Sequence, residues 1–305
     1  MKSLSLILVI FALGQKLYAD TLATNYEKAV KELVAIQSSN QNLVEAISLG
    51  MNDQKMEIKG IKIALAGATV PKLVVASHHG NETLSVGLAL QFAKDLIAVL
   101  KNPNHPQYAL LKDSVFYVIP VLNITGYNSS RREERDSKNI SRDPNRDYPD
   151  PCIEKVDFHL SSTKHLATFM RQKQISAAVT IHGYVGSFTY PWGIFTDNDH
   201  TQDHATYSSL GEESVTHNHY VTGTHAEIVY PAAGSFEDWA YFELGTWTML
   251  MEMDYGANIL NDSKSMLTFF AKAPKSRSLK NQHLGACTER QLDRLFDGVT
   301  PIGRP

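Results

Sequence analysis

Short apolar runs without helical periodicity recur along the chain. They cover residues 72–77, 115–121, 175–181 and 247–254. Continuous apolar runs of this length are typical of strands that are buried on both faces of a sheet. We therefore predict that these four segments are strands of one sheet.

Helical spacing separates the strands. From about residue 83, apolar side chains recur every three to five positions, at Leu84, Leu88, Phe92, Ile97 and Leu100. The same spacing predicts helices over residues 25–37 and 160–173, and alternating runs within 43–70 predict edge strands. Strands that alternate with helices indicate the α/β class. We expect one domain with a mixed, twisted β-sheet and helices on both faces.

Polar side chains collect where these strands end. His79 and Glu82 lie three residues apart in the turn between the first strand and its helix, and His182 directly follows the third strand. Strand ends of an open α/β sheet converge on one crevice. A catalytic zinc takes three protein ligands from imidazole nitrogen and carboxylate oxygen. We therefore favour His79, Glu82 and His182 as a zinc site over an ordinary helix start and a structural histidine.

Two further polar features lie near this edge. Glu252 lies inside the apolar fourth strand, where an unpaired carboxylate is costly to bury and so needs a partner or a function. Residues 123–152 form a long polar segment, which we interpret as a loop. Either it is a solvated surface loop, or its guanidinium groups bind an anion.

A second polar stretch covers residues 194–227. It carries five histidines, whose spacing fits no metal-binding pattern that we can name: His200, His204, His217, His219 and His225. We predict a surface loop here.

Composition narrows the class of protein and its compartment. The 305 residues carry a net charge of −3, which implies no polyanion partner, and we expect no nucleic acid. Residues 1–19 have the pattern of a secretory signal peptide, although an uncleaved anchor is the alternative. We expect no other transmembrane segment and a monomer, secreted or in the lumen of the secretory or lysosomal pathway.

Such a compartment permits a disulfide and glycans. Cys152 and Cys287 are the only cysteines, and the sequence leaves open whether they are bridged. Of the N-x-S/T sites, the more plausible glycan positions are Asn128, Asn139 and Asn261, whereas Asn81 and Asn123 are expected to stay unmodified.

Five motifs together resemble the zinc metallocarboxypeptidase family. They are H-G-N-E at 79–82, D-P-N-R at 143–146, T-I-H-G at 180–183, Y-P-A-A-G-S-F-E-D-W at 230–239 and L-M-E-M at 250–253. The resemblance extends over about residues 25–270. It implies a catalytic domain over residues 20–273, followed by a C-terminal tail of unclear structure at 274–305.

The resemblance implies one Zn²⁺ per chain, held by His79, Glu82 and His182. Carboxypeptidase A has the same set of two histidines and one glutamate. Asp143 would accept a hydrogen bond from His79 and orient its ring. Glu252 would be the general base.

The remaining implied roles concern the substrate. Asn145 and Arg146 would bind the terminal carboxylate of a peptide, and Tyr230 would close over the bound residue. Arg132 would stabilise the oxyanion, with Arg131 and Arg135 left open as alternatives. Glu237 would favour a basic terminal residue, or it is only an acidic residue at a helix start.

We therefore expect a secreted zinc carboxypeptidase that acts on peptide or protein C-termini. One alternative is a zinc amidohydrolase that acts on cell-wall peptides or N-acyl amino acids. The other is an inactive binding protein that retains the pocket.

Overall fold

A computed structural model describes residues 24–149, 151–152, 157–194 and 199–282. Within them, one seven-stranded mixed β-sheet has the strand order β1-β2-β4-β3-β7-β9-β8, and β5 and β6 form a separate two-stranded ribbon. The strands are β1 Val44–Met51, β2 Glu57–Ile63, β3 Val70–Ala76, β4 Ser114–Ile119, β5 Glu134–Arg135, β6 Ser141–Arg142, β7 Ala177–Gly183, β8 Ser187–Thr189 and β9 Trp247–Met253.

Most of the helices lie between strands in the sequence, and one helix precedes β1 and another follows β9. They are α1 Asn25–Ser38, α2 Leu84–Lys101, α3 Tyr108–Leu111, α4 Ile124–Ser129, α5 Ser161–Lys173, α6 His204–Ser214, α7 His225–Ile228, α8 Phe236–Leu244 and α9 Ile259–Lys272, with a 3₁₀ turn at Pro144–Arg146. The fold is therefore the predicted α/β class with a mixed sheet.

The four apolar runs became the parallel centre of the sheet. Strand β3 pairs in parallel with β4 and β7, and β7 pairs in parallel with β9. Every residue of β9 is buried, as are all but the last of β7. A strand buried throughout must be covered on both faces, which explains why these segments are continuously apolar.

Helix α2 provides cover for the centre of the sheet. It packs on β3, β4 and β7, and α9 packs on α2. Leu88, Phe92 and Leu96 are fully buried in α2. Each such side chain contributes about 1.5–3 kcal/mol relative to exposure. This packing holds the start of α2, and with it Glu82, against the sheet.

Three expectations about local structure were wrong. Strand β2 pairs with both β1 and β4 and is internal, whereas an edge strand was expected. The polar segment 123–152 contains α4, the β5-β6 ribbon and the 3₁₀ turn. The stretch 194–227 contains α6 and α7. Capping by polar side chains explains part of this difference between prediction and structure. Asn123 Oδ1 accepts a hydrogen bond from Gly126 N at 2.7 Å and so caps the start of α4.

The described residues also include the start of the predicted tail. Ser278 N donates to the Gly245 carbonyl at 2.7 Å, and Trp247 Nε1 donates to the Ser276 carbonyl at 3.0 Å. Residues 283–305, Cys287 and the predicted signal peptide 1–19 lie outside the described residues. Cys152 is disulfide-bonded. None of the described helices combines the length and apolar character needed to cross a bilayer.

Candidate metal centre and active site

Two adjacent strands bring the predicted metal ligands together, and a third carries the predicted general base. His79 and Glu82 lie in the turn that follows β3, and His182 is near the end of β7. Because β3 and β7 pair with Ala76 opposite Ile181, the turn and His182 lie at the same edge of the sheet. In the next pair, His182 lies opposite Glu252 of β9.

The ligand atoms converge closely. His79 Nδ1 lies 2.7 Å from Glu82 Oε1 and 3.1 Å from His182 Nδ1, and His182 Nδ1 lies 3.0 Å from Glu82 Oε2. Two ligands at 2.0–2.1 Å from a tetrahedral zinc are roughly 3.3 Å apart, close to these separations. Among the described residues this is the one group of histidines, cysteines and carboxylates close enough to hold a metal ion. Its donor set fits zinc.

Asp143 orients the first imidazole. Its Oδ1 lies 3.0 Å from His79 Nε2, so Nε2 carries the proton and the Nδ1 lone pair faces the other ligands. Burial lowers the pKa of His79, but the carboxylates of Glu82 and Asp143 outweigh it and raise this pKa to about 9, so a second proton competes with a metal ion for Nδ1. Burial raises the pKa of Asp143, but the hydrogen bond and charge of His79 and the charges of two arginines hold it well below its usual range.

Arg132 is the arginine that borders the metal cluster. Its Nε and Nη2 donate to Asp143 Oδ2 at 3.0 and 2.8 Å, and its Nη1 lies 3.7 Å from Glu82 Oε1. Arg131 and Arg135 are exposed, and Arg135 Nη1 donates to the Asn139 carbonyl at 2.9 Å. Of these three arginines, Arg132 is the one that contacts a carboxylate of the cluster.

Glu252 presents a carboxylate beside the same cluster. It is 8% exposed, and its Oε2 has no hydrogen-bond partner within the described part of the chain. Burial, and then the charge of Glu82, raise the pKa of Glu252 to about 8. A carboxyl group with this pKa can accept and return a proton near neutral pH.

The D-P-N-R and Y-P-A-A-G segments meet beside the cluster. Arg146 Nη2 donates to the Tyr230 hydroxyl at 3.2 Å. Phe236 N donates to Asn145 Oδ1 at 2.9 Å, which fixes the amide and leaves its NH₂ group as the donor. Gly234 has φ +70°, and a Cβ there would lie 2.8 Å from the Arg146 carbonyl oxygen. Glycine is therefore required at the point where the two segments touch.

Glu237 lies in the first turn of α8, whose N-cap is Ser235. Its side chain is fully buried, and neither carboxylate oxygen has a hydrogen-bond partner among the residues described. Burial lowers the pKa of His182, and the charge of Glu237 partly opposes this change; burial raises the pKa of Glu252 to about 8, and the charge of Glu237 adds to the rise. Burying a carboxylate without a partner is costly.

The sequence did not reveal two histidines that the structure places here. His78 precedes the candidate ligand His79 and is fully buried. His225, expected on the surface, is 3% exposed, and its ring centroid lies 5.7 Å from that of Tyr230. Burial lowers the pKa of His225 to about 4. The surface prediction for His225 was wrong, because the surrounding polar sequence carries no periodic signal of burial.

Comparison with known proteins identifies the family. A family model described as zinc carboxypeptidase matches residues 29–276. This chain belongs to the zinc carboxypeptidase family. It is 28% identical to human carboxypeptidase B over 238 residues, which are 68% of this chain and 57% of that protein. The chain therefore matches little more than half the length of this relative.

Solved structures share the zinc carboxypeptidase fold. Thrombin activatable fibrinolysis inhibitor superposes with a TM-score of 0.69 at 22% identity, over 82% of this chain and 75% of that one. Bovine thrombin-activatable fibrinolysis inhibitor, solved in complex with tick carboxypeptidase inhibitor, superposes with a TM-score of 0.67 at 23% identity, over 81% of this chain and 94% of that one. At these identities the likeness shows the fold.

Proposed function

We propose that this protein is a zinc-dependent carboxypeptidase that removes the C-terminal residue from peptides or proteins. The observation that carries the proposal is the convergence of the His79, Glu82 and His182 ligand atoms, with Glu252 opposite His182 in the sheet and Arg146 N donating to the Asp143 carbonyl at 3.1 Å. In this proposal His79, Glu82 and His182 hold one zinc ion.

Zinc bound at these ligands would lower the pKa of a water molecule to ~7 and polarise the scissile carbonyl. Glu252 accepts the proton of the attacking water and returns it to the leaving amine. Its raised pKa, about 8, suits both transfers. Arg132 stabilises the oxyanion, and the loss of one such donor typically slows the reaction by ~10²–10³.

Specificity for a chain end follows from the two segments that meet beside the cluster. Arg146 and the Asn145 amide bind the terminal carboxylate, which an internal peptide bond lacks. The Tyr230 hydroxyl, which already accepts a hydrogen bond from Arg146 at 3.2 Å, covers the bound residue.

Glu237 supports a preference for C-terminal lysine or arginine. Both its oxygens are buried without a hydrogen-bond partner in the described part of the chain. An ammonium or guanidinium group from the substrate would supply the missing donors and the opposite charge.

We also propose that the protein works outside the cytosol. Residues 1–19 support this, since they combine a basic start, a short apolar run and a small residue before Asp20.

A peptide panel tests the proposed activity and its preference together. The peptides differ only in the last residue (Lys, Arg, Leu, Phe or Glu), and each is offered with a free and with an amidated C-terminus. We expect release of the last residue from the free peptides, with Lys and Arg preferred. Glu237→Gln keeps the shape of the side chain but removes its charge, so we expect it to lose the preference for Lys and Arg and retain some cleavage of Leu peptides.

The panel also separates the alternative functions. Equal cleavage of free and amidated peptides would exclude exopeptidase action. Hydrolysis of N-acyl amino acids or cell-wall peptides alone would identify an amidohydrolase, and zinc binding without any hydrolysis would identify a binding protein. An unchanged ratio of Lys to Leu cleavage in Glu237→Gln would refute the assignment of Glu237 only.

A further inference from the structure

A line of four buried polar side chains begins at the second imidazole of the metal cluster. His182 Nε2 lies 3.1 Å from Thr180 Oγ1, which lies 3.1 Å from His78 Nδ1. His78 Nε2 then lies 2.9 Å from the Tyr148 hydroxyl. None of the four residues is more than 1% exposed.

The protons of this line can be assigned from one end. His182 Nδ1 faces Glu82 Oε2 and His79 Nδ1, so a ligand lone pair at Nδ1 places the proton on Nε2. His182 Nε2 therefore donates to Thr180 Oγ1. The hydroxyl has a single proton, which it donates to His78 Nδ1, and His78 Nε2 consequently carries a proton and donates to Tyr148.

The hydrogen bonds of the line can all be donated in one direction, from His182 towards Tyr148, only if His78 is neutral. A doubly protonated His78 would donate to Thr180 from one side while His182 donates from the other, which leaves the hydroxyl proton without an acceptor in the line. Full burial disfavours the charged ring. The assignment therefore agrees with the environment of the ring.

Ring packing holds the line in place. The His78 ring stacks on the His182 ring, with ring centroids 5.4 Å apart and an angle of 19° between the ring planes. The centroid of the Phe236 ring also lies 5.4 Å from that of His78. Tyr148 is enclosed by Phe158, Phe236 and Trp239. Neither His78 nor Tyr148 can rotate without displacing these neighbours.

We propose that Thr180 and His78 are positioning residues that fix the orientation and tautomer of His182 for metal binding. Asp143 does the same for His79, whose Nε2 lies 3.0 Å from Asp143 Oδ1. Thus each of the two imidazoles has its own orienting group, a carboxylate for His79 and a neutral hydroxyl-imidazole-phenol line for His182. The inference rests on the zinc site of the proposed function.

Zinc affinity is the measurement that tests this role. The affinities of metal-free wild type, Thr180→Val and Thr180→Ser are measured by competition with a chromophoric zinc chelator. Valine has nearly the shape of threonine but lacks the hydroxyl, so we expect an affinity roughly 10–100-fold weaker, the range found when such orienting partners are lost. Serine restores the hydroxyl and should restore the affinity.

Thr246→Val is the matched control. Thr246 is also fully buried beside the sheet, and its hydroxyl donates to the Ile175 carbonyl at 2.8 Å, away from the metal cluster. It should lose stability as Thr180→Val does while binding zinc with wild-type affinity. A second readout is the visible absorption of the Co²⁺-loaded protein, which should change for Thr180→Val and not for Thr246→Val.

Tyr148→Phe provides an independent variant should Thr180→Val fail to fold. It removes the last acceptor and should weaken zinc binding by less than Thr180→Val, with altered Co²⁺ absorption. Wild-type affinity and absorption in a folded Thr180→Val or Tyr148→Phe protein would overturn the positioning role while leaving the proposed function intact. A wild-type protein that binds no zinc would overturn both.

Discussion

Glu134 shows how strongly burial governs a single ionisable residue away from the active site. It is fully buried, with Ser162 Oγ as a donor at 2.5 Å and Asn52 Nδ2 at 3.4 Å. Burial raises its pKa to about 8, and the charges of Asp53 and Asp147 contribute to the rise. Glu134 is therefore protonated in the folded protein at neutral pH.

The protonation of Glu134 should make the stability of the folded protein depend on pH. Because the pKa of Glu134 rises from 4.5 to about 8 on folding, the folded state holds the extra proton between these values, and stability is lost as pH rises from about 5 to 8. Glu134→Gln should match wild type at pH 5 and exceed it at pH 8, by an amount on the order of 1–3 kcal/mol.

Urea unfolding of both proteins at pH 5, 6, 7 and 8 measures the difference. Glu45→Gln is the control, because the Glu45 side chain is 68% exposed and its removal should change stability by less than about 0.5 kcal/mol at every pH. Parallel stability curves for wild type and Glu134→Gln would contradict the assignment.

At the scale of elements, the turn between β3 and α2 is held by a close approach to α4. A Cβ on Gly80 would lie 2.0 Å from the Gly126 carbonyl carbon and 2.2 Å from Tyr127 N. Both are backbone atoms and cannot move aside as the end of a flexible side chain can. The glycine thus lets the turn that carries His79 and Glu82 sit against α4.

Gly80→Ala should force the turn and α4 apart. We expect a loss of stability of about 1–3 kcal/mol, as for other overpacked sites, together with weaker zinc binding. Gly87→Ala is the matched control, since Gly87 is exposed within α2 and a Cβ there would meet only Ile259 Cδ1, at 3.7 Å.

Gly87→Ala should stabilise the protein by up to about 1 kcal/mol, because alanine is the better helix former. Thermal unfolding and zinc titration of the two variants measure both effects. Equal stability of Gly80→Ala and wild type would show that the contact with α4 relaxes at no cost.

At the scale of the whole molecule, the candidate metal site joins segments that are remote in sequence. His79 and His182 are separated by 103 positions, and their Nδ1 atoms lie 3.1 Å apart. Such a site forms only when the sheet has formed, so zinc should bind the folded chain far better than the unfolded one.

Zinc should therefore raise the thermal stability of the whole domain. At free zinc 100-fold above the dissociation constant the folded state gains about 2.7 kcal/mol. A chelator should lower the melting temperature by several degrees, and added zinc should restore it. Glu252→Gln should keep this shift but lose turnover, whereas His79→Gln should lose the shift. A melting temperature that changes with neither chelator nor added zinc would refute the zinc site on which the proposed hydrolysis depends.

The sequence alone determined the elements and the family. Apolar runs predicted β3, β4, β7 and β9, and helical spacing predicted α1, α2 and α5 to within a few residues. This works because burial on both faces of a strand, or on one face of a helix, restricts the side chains at each position of the element itself. The five motifs added the family, which the match over residues 29–276 shows.

Only the tertiary structure decided which side chains meet. Polar segments gave no periodic signal of α4, α6 or the buried His225, because their side chains are satisfied by capping and by partners elsewhere in the chain. Nothing local to Thr180 indicates that its hydroxyl lies between two imidazoles, one of them 102 residues away. Strand register and helix packing set such contacts, and these depend on the whole chain at once.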